Sequence, residues 1–204
     1  MLGYDLNTIL LMTCAFILAV SFHEANHAFV ATALGDDTPR RHGRLTLNPL
    51  RHIDPLGIIF FVLAGVGWGW TPVSPWKLRP NPKIGSALVA IAGPISNLVL
   101  AVVLSAPLRL DLNVAPLVHQ FLFLACSLNL LLFVFNLLPI PPLDGFSVLV
   151  GVLPAKSAEA LRQLERVGPG LLLVLFFLSS FMGFNVIQML FGPVARAFGL
   201  PGLR

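Results

Sequence analysis

The chain has 204 residues, enough for one domain, of which 56% are apolar and only 11% charged, with a mean hydropathy of +0.86. A soluble domain carries about 25% charged residues, so a water-soluble globular protein is excluded and an integral membrane protein is indicated. The net charge of +4 comes from cations scattered between apolar stretches, which speaks against a nucleic-acid surface and for orientation in a bilayer.

The first span is predicted from about Leu6 to Leu34, stopped by Gly35-Asp36-Asp37 with Pro39 behind. It has no basic segment ahead of it and is expected to remain as a helix rather than be removed as a signal peptide. Cys14 and Cys126 fall inside apolar segments, so no disulfide framework is expected. Within this span lies Ser21-Phe22-His23-Glu24-Ala25-Asn26-His27, which reads His-Glu-x-x-His. Positions four apart share one face of a helix, about one turn apart, so His23 and His27 can reach one small cation together. Glu24 stands beside them, where it could take a proton from a metal-bound water. A five-residue pattern with two free positions occurs by chance. Its setting changes the odds: an ionisable group at the centre of a span costs on the order of 2.5 to 3.5 kcal/mol on insertion scales and normally faces protein or a wet cavity.

A basic connector follows over residues 38–55, with Arg40, Arg41, Arg44 and Arg51. Its prolines and alternating Leu45 and Leu47 predict extended segments and turns. His52 and Asp54 read as part of a solvated turn rather than as ligands. Residues 56–70 are apolar but short and contain Gly57, Gly65, Gly67 and Gly69, which predicts a re-entrant or membrane-inserted sheet-like segment that lines a cavity or packs on protein. Further spans are predicted at about 84–108, containing Gly93-Pro94-Ile95-Ser96-Asn97, and at 118–138. The latter runs into Asn136-Leu-Leu-Pro-Ile-Pro-Pro-Leu-Asp144-Gly145, whose prolines put Asp144 on irregular backbone near the membrane. Residues 154–166 are polar, and a last span is expected at about 170–191. The fold expected is an all-α polytopic membrane protein, one domain over 1–204, with about four full transmembrane helices plus the 56–70 insertion.

Two arguments fix the topology. If Asp144 is to join His23 and His27, an even number of crossings must separate them. The spans at 84–108 and 118–138 supply two, so 56–70 must enter and leave on one side. Charge counting agrees. With 56–70 not crossing, one side holds Arg40, Arg41, Arg44, Arg51, Lys77, Arg79, Lys83, Lys156, Arg162 and Arg166, and the other holds Arg109, Arg196 and Arg204. Such a bias places the larger group, and the site with it, toward the cytoplasm of a cell membrane.

A catalytic zinc takes three protein ligands and keeps one position open. Two imidazoles and one carboxylate leave the ion a net positive charge, enough to acidify bound water from 15.7 toward about 7. Zinc is the first choice for His23, His27 and Asp144, although iron, cobalt or manganese would accept the same donors. Asp144 alone would read as a common Leu-Asp-Gly turn. At Asn97 two roles stay open: a bond to a neighbouring helix, or donation to the oxyanion of a tetrahedral intermediate or to substrate backbone.

The order Phe22-His-Glu-Ala-Asn-His-Ala, Asn48-Pro-Leu-Arg-His-Ile-Asp-Pro-Leu-Gly57, Gly93-Pro-Ile-Ser-Asn97 and Asn136-Leu-Leu-Pro-Ile-Pro-Pro-Leu-Asp144-Gly resembles the site-two proteases. These are intramembrane zinc metalloproteases, and the likeness is to their small prokaryotic branch without a PDZ domain. The resemblance implies one catalytic zinc held by His23, His27 and Asp144, Glu24 as catalytic base, and Asn97 as a residue that positions substrate or stabilises the intermediate. It also implies substrates that are transmembrane segments of other proteins in the lipid bilayer, with no nucleic acid involved. Asn26 departs from the family's usual small or apolar residue and could alter water access. Nothing in the pattern specifies an oligomeric state. The competing reading is a non-catalytic metal-binding scaffold, a pseudoprotease, against which the Glu24 carboxylate argues. An ion transporter would need ligands along a path, and the spans at 84–108 and 118–138 offer no carboxylate.

Overall fold

The computed structural model describes residues 3–168, 170–172, 174 and 186–198. Helix α1 (Leu6–Ala33) starts where the Asp5 carboxylate accepts the Thr8 N–H at 3.0 Å, closing one group that a bare helix end leaves open, and the Thr8 hydroxyl at 2.7 Å. It ends at Gly35, whose φ of +102° only glycine adopts freely. Along it, Thr13, Ser21 and Thr32 donate their hydroxyls to the carbonyl four residues back, so these polar groups ride in an apolar helix without an unmet bond. A four-residue turn of helix, α2 (Thr38–Arg41), follows.

Helix α4 (Pro82–Arg109) has the start signals expected of it, Asn81 accepting the Ile84 N–H and Pro82 in the first turn. Pro116 opens α5 (Pro116–Asn136) in the same way. These two helices and α1 are the three among the described residues that are long and apolar enough to cross a membrane. They match the first three predicted spans to within a few residues. The expected last span falls largely outside the described residues. What is described there, the helix Val186–Ala197, packs Phe191 and Ala195 against Ala101 of α4 and Cys126 and Leu130 of α5. Helix α4 is the centre of the bundle: α1, α5 and the short α6 (Asp144–Val152) all pack on it. Asp144, expected on irregular backbone, is the first residue of α6. The polar segment that follows forms α7 (Ala155–Arg162).

The 56–70 segment corrects the sheet-like expectation. It begins as helix α3 (Pro55–Ala64), capped by the Asp54 carboxylate on the Leu56 and Gly57 N–H groups and ended by Gly65 at φ +76°. The chain then turns back, and Gly69 meets Ile53 in one isolated antiparallel bridge. No sheet forms among the described residues. The segment's two ends are brought together by that bridge. Its glycines serve close packing of the returning chain on the helix: a Cβ at Gly57 would lie 2.4 Å from the Trp68 carbonyl oxygen, and one at Gly67 would lie 2.6 Å from that of Gly57. Phe61 of α3 stacks on Phe16 of α1 with centroids 4.0 Å apart, joining the hairpin to the bundle.

Candidate metal centre

The helical period that put His23 and His27 on one face of α1 also turns that face inward, against α4 and α6, and both rings are buried. The rings stand 4.6 Å apart and nearly perpendicular. Asp144 arrives from α6 with its Oδ2 atom 3.0 Å from His23 Nε2 and 3.4 Å from His27 Nε2. One ligand atom from each of the three residues lies within 4.8 Å of the others. The bundle can hold them this close because residue 93 of α4 is a glycine. A Cβ there would sit 2.5 Å from His27 Nε2 and 2.6 Å from His23 Nε2.

The far side of each ring decides what the near side is. His27 Nδ1 lies 2.8 Å from the Val89 carbonyl oxygen, which only accepts, so Nδ1 carries the proton. His23 Nδ1 lies 2.7 Å from Asn97 Oδ1. The Asn97 amide nitrogen is spoken for by the Ala19 carbonyl at 3.1 Å and by Asn129 Oδ1 at 2.8 Å, which fixes oxygen toward His23. In the neutral rings both Nε2 atoms then present lone pairs, and they face a carboxylate oxygen that is buried without a hydrogen-bond partner among the described residues. With the rings in that form, three acceptors converge with no donor between them, an arrangement that suits one shared cation. Two imidazoles and a carboxylate are the donor set of a catalytic zinc site, so the residues fit the metal.

Around this cluster lies a cavity of about 530 Å³. Val20, His23, Glu24 and His27 form one side of it. Gly67 to Thr71 of the returning chain line it beside them, where a Cβ at Gly69 would lie 2.6 Å from Val20 Cγ1 and 2.7 Å from Glu24 Cγ, and Leu132, Phe135, Asn136 and Pro142 to Asp144 complete it. Glu24 is buried and lines the same space as the two imidazoles. Its backbone carbonyl accepts the Thr71 hydroxyl at 3.0 Å, which ties the hairpin to the turn of α1 that carries His23 and His27. Asn97 is fully buried. Of the two roles left open for it, the bond to neighbouring helices is the one its two amide hydrogens serve here, on α1 and α5.

Other sequence readings sort themselves by position. Asn26 donates to the Phe22 carbonyl of its own helix and faces an outer groove with Ile91, Ile95 and Ser96, away from the metal-ligand cavity. His52 is not solvated: it is fully buried, with Nε2 2.7 Å from the Thr46 carbonyl. Asn129 and Val89 escaped the sequence reading, although an amide inside the apolar run 118–138 was a visible signal.

Comparison with known proteins gives the family. A family profile described as peptidase family M50 matches residues 111–179. A Bacillus subtilis protein named "Putative zinc metalloprotease YwhC" is 38% identical over 183 residues, covering 86% of this chain and 84% of its own. The chain belongs to peptidase family M50, the site-two protease family. A Mycobacterium tuberculosis member, "Putative zinc metalloprotease Rip2", is 35% identical over 192 residues, covering 89% of this chain and 73% of its own. A zinc metalloprotease of Methanocaldococcus jannaschii is 25% identical over 191 residues, covering 91% of this chain and 48% of its own. No solved structure matches. As an M50 member with three membrane-length helices among the described residues, the protein is a membrane metalloprotease.

Proposed function

We propose that the protein is an intramembrane zinc endopeptidase that hydrolyses peptide bonds within transmembrane segments of other membrane proteins, with its site toward the cytoplasm of a multi-pass cell-membrane protein. One observation carries the reading: three acceptor atoms on His23, His27 and Asp144 converge beside Glu24 in a cavity inside a membrane-length bundle. His23 and His27 lie in the second half of α1, roughly 9 to 15 Å from its end at 1.5 Å per residue. A bond cut there lies within the bilayer, nearer the face on which the basic connectors gather.

His23 Nε2, His27 Nε2 and the Asp144 carboxylate hold the zinc. When bound, the zinc supplies Lewis acidity to the scissile carbonyl and makes water acidic enough to attack near neutral pH. Glu24 takes the proton of the attacking water on its carboxylate and returns it to the amine nitrogen as the C–N bond breaks. Asn97 holds the His23 ring and its proton in place, in preference to touching substrate. A helical substrate shields its amides with its own hydrogen bonds, so it must unwind to be cut. The returning chain Gly67–Thr71 lines the cavity, and an unwound segment would lie against it as an added strand.

The test compares purified wild type with Glu24→Gln for metal content and for cleavage of a fluorescent single-span substrate in bilayers. Equal metal with cleavage by wild type only is the expected result. Cleavage by Glu24→Gln at the wild-type rate overturns the mechanism. Metal in both, and cleavage by neither across several spans, moves the protein to the scaffold reading.

A further inference from the structure

Behind the metal centre runs a chain of hydrogen bonds that crosses three helices. His23 on α1 meets Asn97 on α4, and Asn97 meets Asn129 on α5. Both asparagines are fully buried. Asn129 turns its amide nitrogen to the Ala125 carbonyl one turn back, at 2.8 Å. That bond fixes which of its atoms faces Asn97: the oxygen.

We infer that Asn129 is a positioning residue of the metal centre, acting through Asn97 to set which nitrogen of His23 carries the proton. The inference rests on the metal-centre reading above. An asparagine amide is nearly symmetric in shape, so its orientation is decided by its partners. In the observed orientation, Asn97 spends its two hydrogens on Ala19 O and Asn129 Oδ1 and offers oxygen to His23 Nδ1. His23 must then donate from Nδ1, which leaves Nε2 with its lone pair toward Asp144 and His27. Rotating the Asn97 amide by half a turn would set its oxygen against two acceptors, Ala19 O and Asn129 Oδ1, and its nitrogen toward His23. His23 would then accept on Nδ1 and carry its proton on Nε2, where a cation cannot bind. Removing the Asn129 oxygen lifts one of the two penalties that forbid this rotation. The site lies in a low-dielectric interior, where each such mismatch is felt strongly.

Metal affinity is the direct readout. Outer partners of ligand histidines change affinity by about tenfold to a hundredfold when lost, so Asn129→Leu is expected to weaken zinc or cobalt binding by about that factor. Asn129→Asp is the rescue. In this apolar interior its carboxyl is favoured in the neutral form, in which its C=O accepts from Asn97 and its O–H donates to Ala125 O. It should bind metal within about threefold of wild type, a small shift beside that factor. Since Asn129 acts through Asn97, the double variant Asn97→Leu/Asn129→Leu should bind no more weakly than Asn97→Leu alone.

The measurements are metal titration against a chromophoric chelator, and nitrogen-15 spectra of histidine-labelled full-length protein in detergent, with His23 assigned by its loss in His23→Gln. The spectra should show His23 protonated on Nδ1 in wild type and on both nitrogens by turns in Asn129→Leu. Unchanged metal affinity in Asn129→Leu overturns the inference and leaves the metal centre standing. Losses that simply add in the double variant overturn it too, since they mean that Asn129 acts by packing. Should Asn129→Leu fail to fold, Asn129→Asp decides: metal affinity as weak as that of Asn97→Leu overturns the relay. If wild type binds no metal, the metal-centre reading falls, and the His23 tautomer alone decides: a proton that stays on Nδ1 in Asn129→Leu overturns the relay.

Discussion

On the α1, α4 and α5 side of the cavity, each histidine that faces inward is backed by a fixed partner one layer deeper. Val89 holds His27, and Asn97 holds His23. The hairpin of residues 53–74, which lines the same cavity, is tied down by separate contacts. These are the Phe16–Phe61 stack, one bridge at Ile53 and Gly69, the Thr71 hydroxyl on Glu24 O, and Arg44, which donates to the Trp70 carbonyl with its guanidinium 4.6 Å over the Trp70 ring. The hairpin leaves Ile59, Phe60, Val66, Trp68 and Trp70 exposed. One wall is locked by a connected polar network in which each group limits the next. The other is held by contacts that can break one at a time. A peptidase of this kind needs both properties, since metal ligands must not move while an incoming segment has to displace something.

Two glycines, one on each wall, separate these properties. Gly93→Ala puts a methyl group 2.5 Å from His27 Nε2 and 2.6 Å from His23 Nε2, closer than any real contact. The rings must turn, and each is held from behind, so the ligand geometry is lost. Metal affinity should fall by at least about a hundredfold, or roughly 2.7 kcal/mol, with activity falling alongside. Retained affinity in a chelator titration would mean that the ligand wall is softer than its hydrogen bonds imply. On the other wall, Gly67→Val sets a side chain 2.5 Å from Phe16 Cζ and 2.6 Å from the Gly57 carbonyl oxygen. The returning chain must lift away from α3. Cleavage should drop by about tenfold, mostly through a higher KM, as expected when uniform substrate binding is lost, while metal affinity stays near that of wild type. A fall in metal affinity as large as that for Gly93→Ala would erase the distinction between the two walls.

The same contrast explains what the sequence could reveal. The locked wall is written in regular periods. Positions 23 and 27 share a helix face by arithmetic, whereas Asp144 alone reads as a common turn and is joined to them by the resemblance, with parity and charge bias only allowing it. Three spans were legible from length and apolarity. The hairpin was not, because its glycines signal close approach without saying what approaches. A helix packed on its own returning chain and a strand in a sheet ask for the same small residues. His52 was misplaced for a related reason: its partner, the Thr46 carbonyl, is supplied by the loop's three-dimensional closure rather than by any spacing. Asn129 stood out as an amide in an apolar run, but only the packing of α5 on α4 shows what it faces. Asn97 was singled out, but its chemistry depends on which of its atoms points where, and sequence carries no such information.

The smallest effect is expected where the hairpin's exit is pinned to the end of α1. Asp36 is fully buried there, and its carboxylate accepts the Thr38 N–H at 3.0 Å and the Ser74 N–H at 2.6 Å. Burial alone would raise its pKa. The bonds to Thr38 and Ser74, aided by the nearby Lys77 ammonium, outweigh burial and hold the pKa below the ordinary 3.8. A carboxylate with a lowered folded-state pKa stabilises the fold above its unfolded value, and that contribution is lost as pH falls through the folded value. Asp36→Asn keeps one acceptor and loses the charge, so it should cost about 1 kcal/mol near neutral pH. The gap in melting temperature between wild type and variant should be constant above about pH 5 and should close below 3.8, where protonation makes the two side chains alike. A gap that persists to the lowest pH would mean that Asp36 works by shape alone. Because this pin lies on the hairpin side, the variant should bind metal as wild type does while the hairpin exchanges its amide hydrogens faster, which ties the looser wall to its anchor at the membrane surface.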